Sequence, residues 1–129
     1  MILPRSRVID LDQLETAFLS MIELRYLGLD FGESLFDPRY HAALEDAIES
    51  FIRHIYDYHD QELVFRDALA WMLNLPTDRF EAVLGQVKVP YPHYRDLGEI
   101  RRFLELLWQR TWGDWTVAGF DPDAYEARY

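Results

Sequence analysis

Hydrophobic residues recur at helical spacing through most of this chain, most clearly between residues 37 and 75. Asp37 and Pro38 form a helix-start signal, and more than twenty residues without glycine or proline follow. At 100° per residue, one side of this segment is apolar and the opposite side is acidic with a tyrosine in it. The apolar side, which we expect to face the core, consists of Leu44, Ala47, Ile48, Phe51, Ile55 and Tyr58.

The same periodicity predicts a helix before this segment, after an irregular or extended lead-in over residues 1–9. Asp10 or Asp12 caps this first helix, which ends near Leu27 with Gly28 behind it. Its apolar stripe consists of Leu11, Leu14, Ala17, Phe18, Met21 and Ile22.

The long segment either continues as one helix to Leu73 or breaks near His59. We favour two helices that meet at residues 58–60, because an unbroken helix of about 36 residues is long for a domain of this size. Asp60 would then cap a third helix. The apolar positions of that helix are Val64, Ala68, Leu69, Trp71 and Met72.

Three further helix signals follow towards the C-terminus. A short helix is predicted over Asp78–Leu84, stopped by Gly85, and a long one over about Leu97–Trp112. Asp121 and Pro122 repeat the Asp-Pro start signal and predict a last helix. The long helix carries Leu97, Ile100, Leu104, Leu107, Trp108 and Thr111 on one side.

Two apolar residues of the long helix, Phe103 and Leu106, lie away from that side. The helix is therefore either buried on two sides or offers apolar surface to a partner, as in an adaptor or an oligomeric module. Strand patterns are not found. The sequence predicts one all-α domain over residues 1–129, a compact bundle of four to six helices.

Composition fits a folded domain, with 129 residues of which 50% are hydrophobic and 16% aromatic. The absence of cysteine excludes disulfides and thiolate metal sites and fits a reducing compartment. No signal peptide or membrane-spanning run is recognised, so we expect a soluble cytoplasmic protein without membrane contact.

The charge distribution points to the kind of partner. The net charge is −10, and residues 30–62 alone hold nine acidic and two basic residues. This excess disfavours nucleic acid and anionic membranes and favours a basic protein partner. The predicted partner-binding face consists of Glu45, Asp46, Glu49, Arg53, Tyr56, Asp57 and Asp60.

A plainer interpretation of this face is a solvated surface with ion pairs between Arg53 and residues four positions away, Glu49 and Asp57. Two features favour a binding surface. Arg53 stands almost alone among the carboxylates, so they repel one another. Tyr56 points outward, and an exposed tyrosine ringed by charge is typical of a protein-binding hot spot.

An alternative function is that of a small metal-dependent hydrolase using His54, Asp57, His59 and Asp60. The His59-Asp60 pair resembles the dipeptide of the HD phosphohydrolases, which also need a separate histidine and aspartate that this sequence does not fix. His54 and His59 fall on opposite borders of the apolar stripe and do not converge. We therefore assign no catalytic residue, metal or cofactor.

The aromatic residues divide into core and loop positions. Trp71 and Trp108 have helical spacing and are expected in the core. Tyr91, His93 and Tyr94 lie in a proline-interrupted stretch and form a candidate second contact loop.

Small size, acidity, lack of cysteine and a helical bundle together resemble the bacterial immunity proteins of the colicin-nuclease and contact-dependent growth inhibition types. The colicin type carries adjacent tyrosines in a short helix, and the nearest feature here is Tyr56 and Tyr58. The resemblance implies a tight complex in the cytoplasm with a basic nuclease toxin domain. It transfers no individual residue to this chain.

Overall fold

The computed structural model describes residues 8–17, 36–86, 97–113 and 121–128. Helix accounts for 83% of them, which confirms the all-α prediction. Strand β1 is Val8–Asp10, and helix α1 covers residues 11–17. The remaining elements are α2 (His41–Asp57), α3 (Glu62–Leu73), α4 (Thr77–Gln86), α5 (Leu97–Trp112) and strand β2 (Glu126–Arg128).

Helix α1 begins where its capping signal predicts. The Asp10 carboxylate accepts a hydrogen bond of 2.9 Å from the backbone N–H of Asp12, so Asp10 is the cap. The predicted stripe is buried at Leu11, Leu14 and Ala17. The predicted end of this helix, near residues 27–28, lies outside the described residues.

The Asp-Pro signal at Asp37 starts a turn of 3-10 helix, Pro38–Tyr40, that leads directly into α2. The Asp37 carboxylate accepts from the backbone N–H of Arg39 at 2.9 Å and from its guanidinium at 3.1 Å. These two interactions, the side-chain one first, lower the pKa of Asp37 below its usual range.

The predicted break between the second and third helices is confirmed. Helix α2 ends at Asp57, a 3-10 turn covers His59–Gln61, and α3 begins at Glu62. The prediction that Asp60 caps α3 is wrong, because Asp60 lies inside the turn and no side chain caps this helix. Instead, Glu62 in the first turn accepts a hydrogen bond of 3.0 Å from the indole N–H of Trp112.

Helix α4 runs through Gly85, which was expected to stop it. Gly85 is exposed and a Cβ at this position would meet no other atom within 4 Å, so glycine costs the helix about 1 kcal/mol of propensity relative to alanine without ending it.

Helix α5 has the predicted bounds and packs against both α2 and α3. Ile100, Leu104 and Leu107 are fully buried on the predicted side, and Phe103 is fully buried as well. Of the two alternatives for this helix, burial on two sides is therefore the one observed, and Phe103 is not part of an adaptor surface. Trp71 and Trp108 are also buried, as predicted.

A short parallel pair of strands joins the two ends of the described chain. Ile9 of β1 lies opposite Ala127 of β2. The Asp-Pro signal at Asp121 and Pro122 predicts a helix, but the structure has one 3-10 turn and then extended backbone from Tyr125. Pairing with β1 provides hydrogen-bond partners for the backbone groups of this segment. In a longer helix those groups would have bonded within the helix.

Arg101 connects α5 to the junction of α3 and α4. Its guanidinium donates to the carbonyl oxygens of Leu73 at 2.8 Å and Leu75 at 2.7 Å. The same group lies 4.4 Å from the ring centre of Phe80. The Arg101 guanidinium thus caps the C-terminal end of α3, where the helix dipole favours positive charge.

We predict that Arg101→Met lowers the free energy of unfolding by about 2–4 kcal/mol, because two carbonyls lose a charged donor. Arg101→Lys should retain only part of this stability, since one ammonium cannot reproduce the two hydrogen bonds of the guanidinium. Urea denaturation measures the change. Arg102→Met is the control, because Arg102 stacks on Phe36 at 3.9 Å and its loss should cost at most about 1 kcal/mol. Equal losses in both variants would contradict this role.

Asp67 lies half-buried on α3 and has a perturbed ionisation. Burial raises the pKa of its carboxyl above the ordinary value, and the charge of Arg66 offsets part of that rise.

We predict a pH-dependent gain in stability from Asp67→Asn. Because its folded pKa is raised, Asp67 favours folding most when protonated, below an unfolded pKa of about 3.9, and this contribution is lost as pH rises through the folded pKa. The variant should therefore be more stable than the parent at pH 7, with the difference shrinking towards pH 3. Thermal melts at both pH values test this, with Glu81→Gln as the control, because Glu81 is an exposed acid on α4. If the stability difference between Asp67→Asn and the parent were the same at pH 7 and pH 3, this prediction would be contradicted.

Candidate protein-binding surface

Six of the seven predicted partner-binding residues lie on α2, and the seventh, Asp60, lies in the turn that follows. All are exposed except Glu45, which is half-buried. The Glu45 carboxylate receives two hydrogen bonds from the guanidinium of Arg110 on α5, at 3.0 and 2.6 Å. Glu45 therefore joins two helices, while the other carboxylates face solvent.

The ion-pair ladder of the plainer interpretation does not form along α2. In residues 36–86 and the other described ranges, Arg53 makes no ion pair with Glu49 or Asp57. Asp46 and Asp60 make none either. These carboxylates are thus available to a cation supplied from outside the described chain.

Exposed apolar surface is concentrated at the corner between α2 and α3. In the part of the chain that the structure describes, every large hydrophobic side chain that is exposed falls between residues 56 and 64. We call these four residues the corner patch: Tyr56, Tyr58, Leu63 and Val64. Tyr56 is 79% exposed, as its outward position on the helical wheel predicts.

Two members of the corner patch were expected in the core, and both expectations are wrong. Tyr58 lies just past the end of α2 with φ −114° and ψ 44°, so the helical wheel no longer applies to it. Its ring lies 4.7 Å from the ring of His54 and is 50% exposed. Val64 is 45% exposed because the buried side of α3 begins at Phe65.

No sequence signal separates the exposed apolar residues of α3 from its buried ones. Leu63, Val64 and Phe65 are consecutive apolar residues at the start of the helix, but the six consecutive residues from Ala68 to Leu73 in the same helix are all buried. The exposure of Leu63 and Val64 therefore depends on where the helix meets the core.

The histidine and acid residues of the hydrolase alternative do not converge. His54 lies between Tyr58 and Phe65, with the Phe65 ring edge-on at 5.3 Å, whereas His59 is exposed. Across the described ranges, no three histidine or carboxylate side chains are placed to hold a metal ion. The packing of His54 against two aromatic rings accounts for its position.

A cleft that the sequence did not predict lies between the start of α2 and the outer side of α5. This α2–α5 cleft has a volume of about 630 Å³. Phe36, Leu44 and Leu106 give it apolar walls, and Arg102 and Glu105 are among its charged residues. Its only sequence signal was Leu106, which falls off the main stripe of α5.

Comparison with family models, curated proteins and solved structures gives no match to this chain. In the described ranges, every helix is too short or too polar to cross a bilayer. The candidate loop at Tyr91, His93 and Tyr94 lies outside the described residues.

We predict that Tyr56→Ala changes the free energy of unfolding by less than about 0.5 kcal/mol, because its ring packs little against the chain. Ile55→Ala, its buried neighbour, should cost about 2–5 kcal/mol. Chemical denaturation of the two variants measures the contrast. A large loss for Tyr56→Ala would mean that the ring serves folding and is not free for binding.

Proposed function

We propose that this protein is an acidic α-helical binding protein that neutralises a basic protein partner. Its most concrete form would be an immunity protein that blocks a cognate bacterial toxin domain of the nuclease type. The observation that carries the proposal is the corner patch, where exposed apolar side chains adjoin carboxylates without ion pairs in the described chain. Small size, acidity and a helical bundle support the immunity form.

Charge would act first in such a complex. The carboxylates of Asp46, Glu49 and Asp57 repel one another in the free protein, and a cationic partner relieves that repulsion. Complementary fields also raise association rates above the unsteered range of about 10⁵–10⁶ M⁻¹s⁻¹. Added salt screens this steering, so affinity should fall as ionic strength rises.

The corner patch would supply the short-range energy. Tyrosine is enriched among hot-spot residues because it buries a large rigid surface at low entropic cost. Tyr56 has little of its ring buried in the free protein, so a partner can cover most of it. Asp57 and Asp60 lie between members of the patch along the chain and would orient the basic side chains of the partner.

Inhibition of a nuclease would then follow from occlusion. A basic cleft that binds nucleic acid places its lysine and arginine residues where phosphates lie. Carboxylates of α2 can occupy those phosphate positions and exclude the substrate. This mechanism needs no catalytic group on the immunity protein, and its setting would be the cytoplasm.

The test is a binding measurement with a basic partner protein. The partner is either captured on the immobilised chain and then purified, or produced as a basic domain encoded by the neighbouring gene. We expect a dissociation constant below 1 µM, raised by added salt. Tyr56→Ala should weaken binding by roughly 30-fold, the loss of about 2 kcal/mol that defines a hot spot. Glu49→Lys should slow association.

Glu81→Lys is the matched control, because Glu81 is an exposed acid on α4, away from the proposed surface. It should leave the affinity within about twofold. Unchanged binding in Tyr56→Ala and Glu49→Lys together would remove this surface from consideration. Failure of the chain to protect nucleic acid from the bound partner would remove the nuclease-inhibitor form alone.

A further inference from the structure

One strip of α2 connects the α2–α5 cleft to the corner patch. The strip consists of His41, Glu45, Glu49, Ile52 and Tyr56, which fall within an arc of about 80° on the helical wheel. His41 and Glu45 line the cleft, and Tyr56 belongs to the corner patch. From first residue to last the strip is about 23 Å long at 1.5 Å per residue.

This length matches one protein partner. A standard interface covers about 800 Å² on each side, which is a patch roughly 30 Å across. A single partner can therefore touch both ends of the strip. Between the ends it would meet Glu49, whose carboxylate makes no ion pair within the described chain.

The cleft has the chemistry to receive an apolar side chain with a positive charge beside it. Leu44 and Leu106 offer apolar surface, and Phe36 lies under the Arg102 guanidinium at 3.9 Å. Three carboxylates line the cleft against one guanidinium, counting Asp37, Glu45 and Glu105.

Those three carboxylates are not equally available. Asp37 is held by Arg39, and Glu45 is held by Arg110. Glu105 makes no ion pair in the described ranges and is half-buried at the cleft wall. A carboxylate that is partly removed from water and lacks a counter-charge is the point at which an external cation gains most.

We propose that the α2–α5 cleft is a second anchor point for the basic partner. It takes an apolar side chain of that partner, and Glu105 receives the lysine or arginine next to it. The inference rests on the proposed function, because it assigns the same partner to both ends of the strip. Anchors at the two ends of the strip fix the orientation of the partner along α2, which one patch at the corner cannot do.

The test uses short peptides and reads the two ends of the strip separately. The probe is an acetylated and amidated pentapeptide with a central leucine between two pairs of arginines. One control peptide has serine in place of leucine, and another has glutamates in place of the arginines. Methyl NMR spectra of the chain report the cleft through Leu106 and the corner patch through Leu63 and Val64.

We expect the leucine–arginine peptide to shift the Leu106 methyls saturably, and the two control peptides to leave them unchanged. Glu105→Arg should raise the dissociation constant at the cleft by about two- to fivefold, the size expected for one partly exposed charge pair. Glu81→Arg on α4 should not change it. Glu105→Gln provides the same test with a smaller effect if the arginine variant disturbs the spectrum.

The possible results separate the two proposals. Shifts confined to Leu63 and Val64 overturn the cleft inference and leave the corner patch in place. Shifts confined to Leu106 and lost in Glu105→Arg support the cleft and count against the corner patch. Equal shifts with the serine or the glutamate peptide overturn the cleft inference, because binding would then need neither the apolar side chain nor the positive charge.

Discussion

Helix α5 is enclosed by α2 on one side and α3 on another, and Ile100, Phe103, Leu104 and Leu107 have no exposed surface left. Burial of one such side chain stabilises the fold by about 1.5–3 kcal/mol, so this helix supplies a large share of the driving force for folding. Polar contacts fix its position along the bundle. Arg101 donates hydrogen bonds to the carbonyls at the end of α3, Arg110 forms an ion pair with Glu45, and Trp112 donates to Glu62.

That arrangement leaves two surfaces incompletely packed. The buried side of α3 begins at Phe65, and the side chains of Leu63 and Val64 just before it stay in solvent although Trp112 of α5 reaches Glu62. The outer side of α5 at Leu106 meets the start of α2 without closing on it, which leaves the cleft. Both surfaces lie beside the exposed carboxylates of α2. Repulsion among Asp46, Glu49 and Asp57 opposes folding slightly, and a basic partner would remove it.

Much of the helical architecture could be predicted from the sequence, because it depends on local signals. The bounds of α5, the break after Asp57 and the caps at Asp10 and Asp37 follow from periodicity and from short polar residues at helix starts. The pairing of β1 with β2 could not be predicted, since three-residue strands carry almost no pattern and their partner lies over 110 residues away.

The candidate site was only partly predictable for a related reason. A helical wheel describes one helix, so it placed Tyr56 and the carboxylates of α2 correctly on the outside. It failed at Tyr58, where the helix has already ended, and at Val64, where the position of the core decides exposure. The cleft and the ion pair between Arg110 and Glu45 both depend on how α2 and α5 approach each other, which a helical wheel does not describe.

Carbodiimide labelling of carboxylates, read by mass spectrometry in the free protein and in its complex with the basic partner, tests the central claim most directly. In the free protein Asp46, Glu49, Asp57 and Asp60 should label readily, because they are exposed. In the complex their labelling should fall several-fold, while Glu81 on α4 should label as before. Unchanged labelling of the α2 carboxylates in a saturated complex would contradict the claim that this acidic surface is where the partner binds.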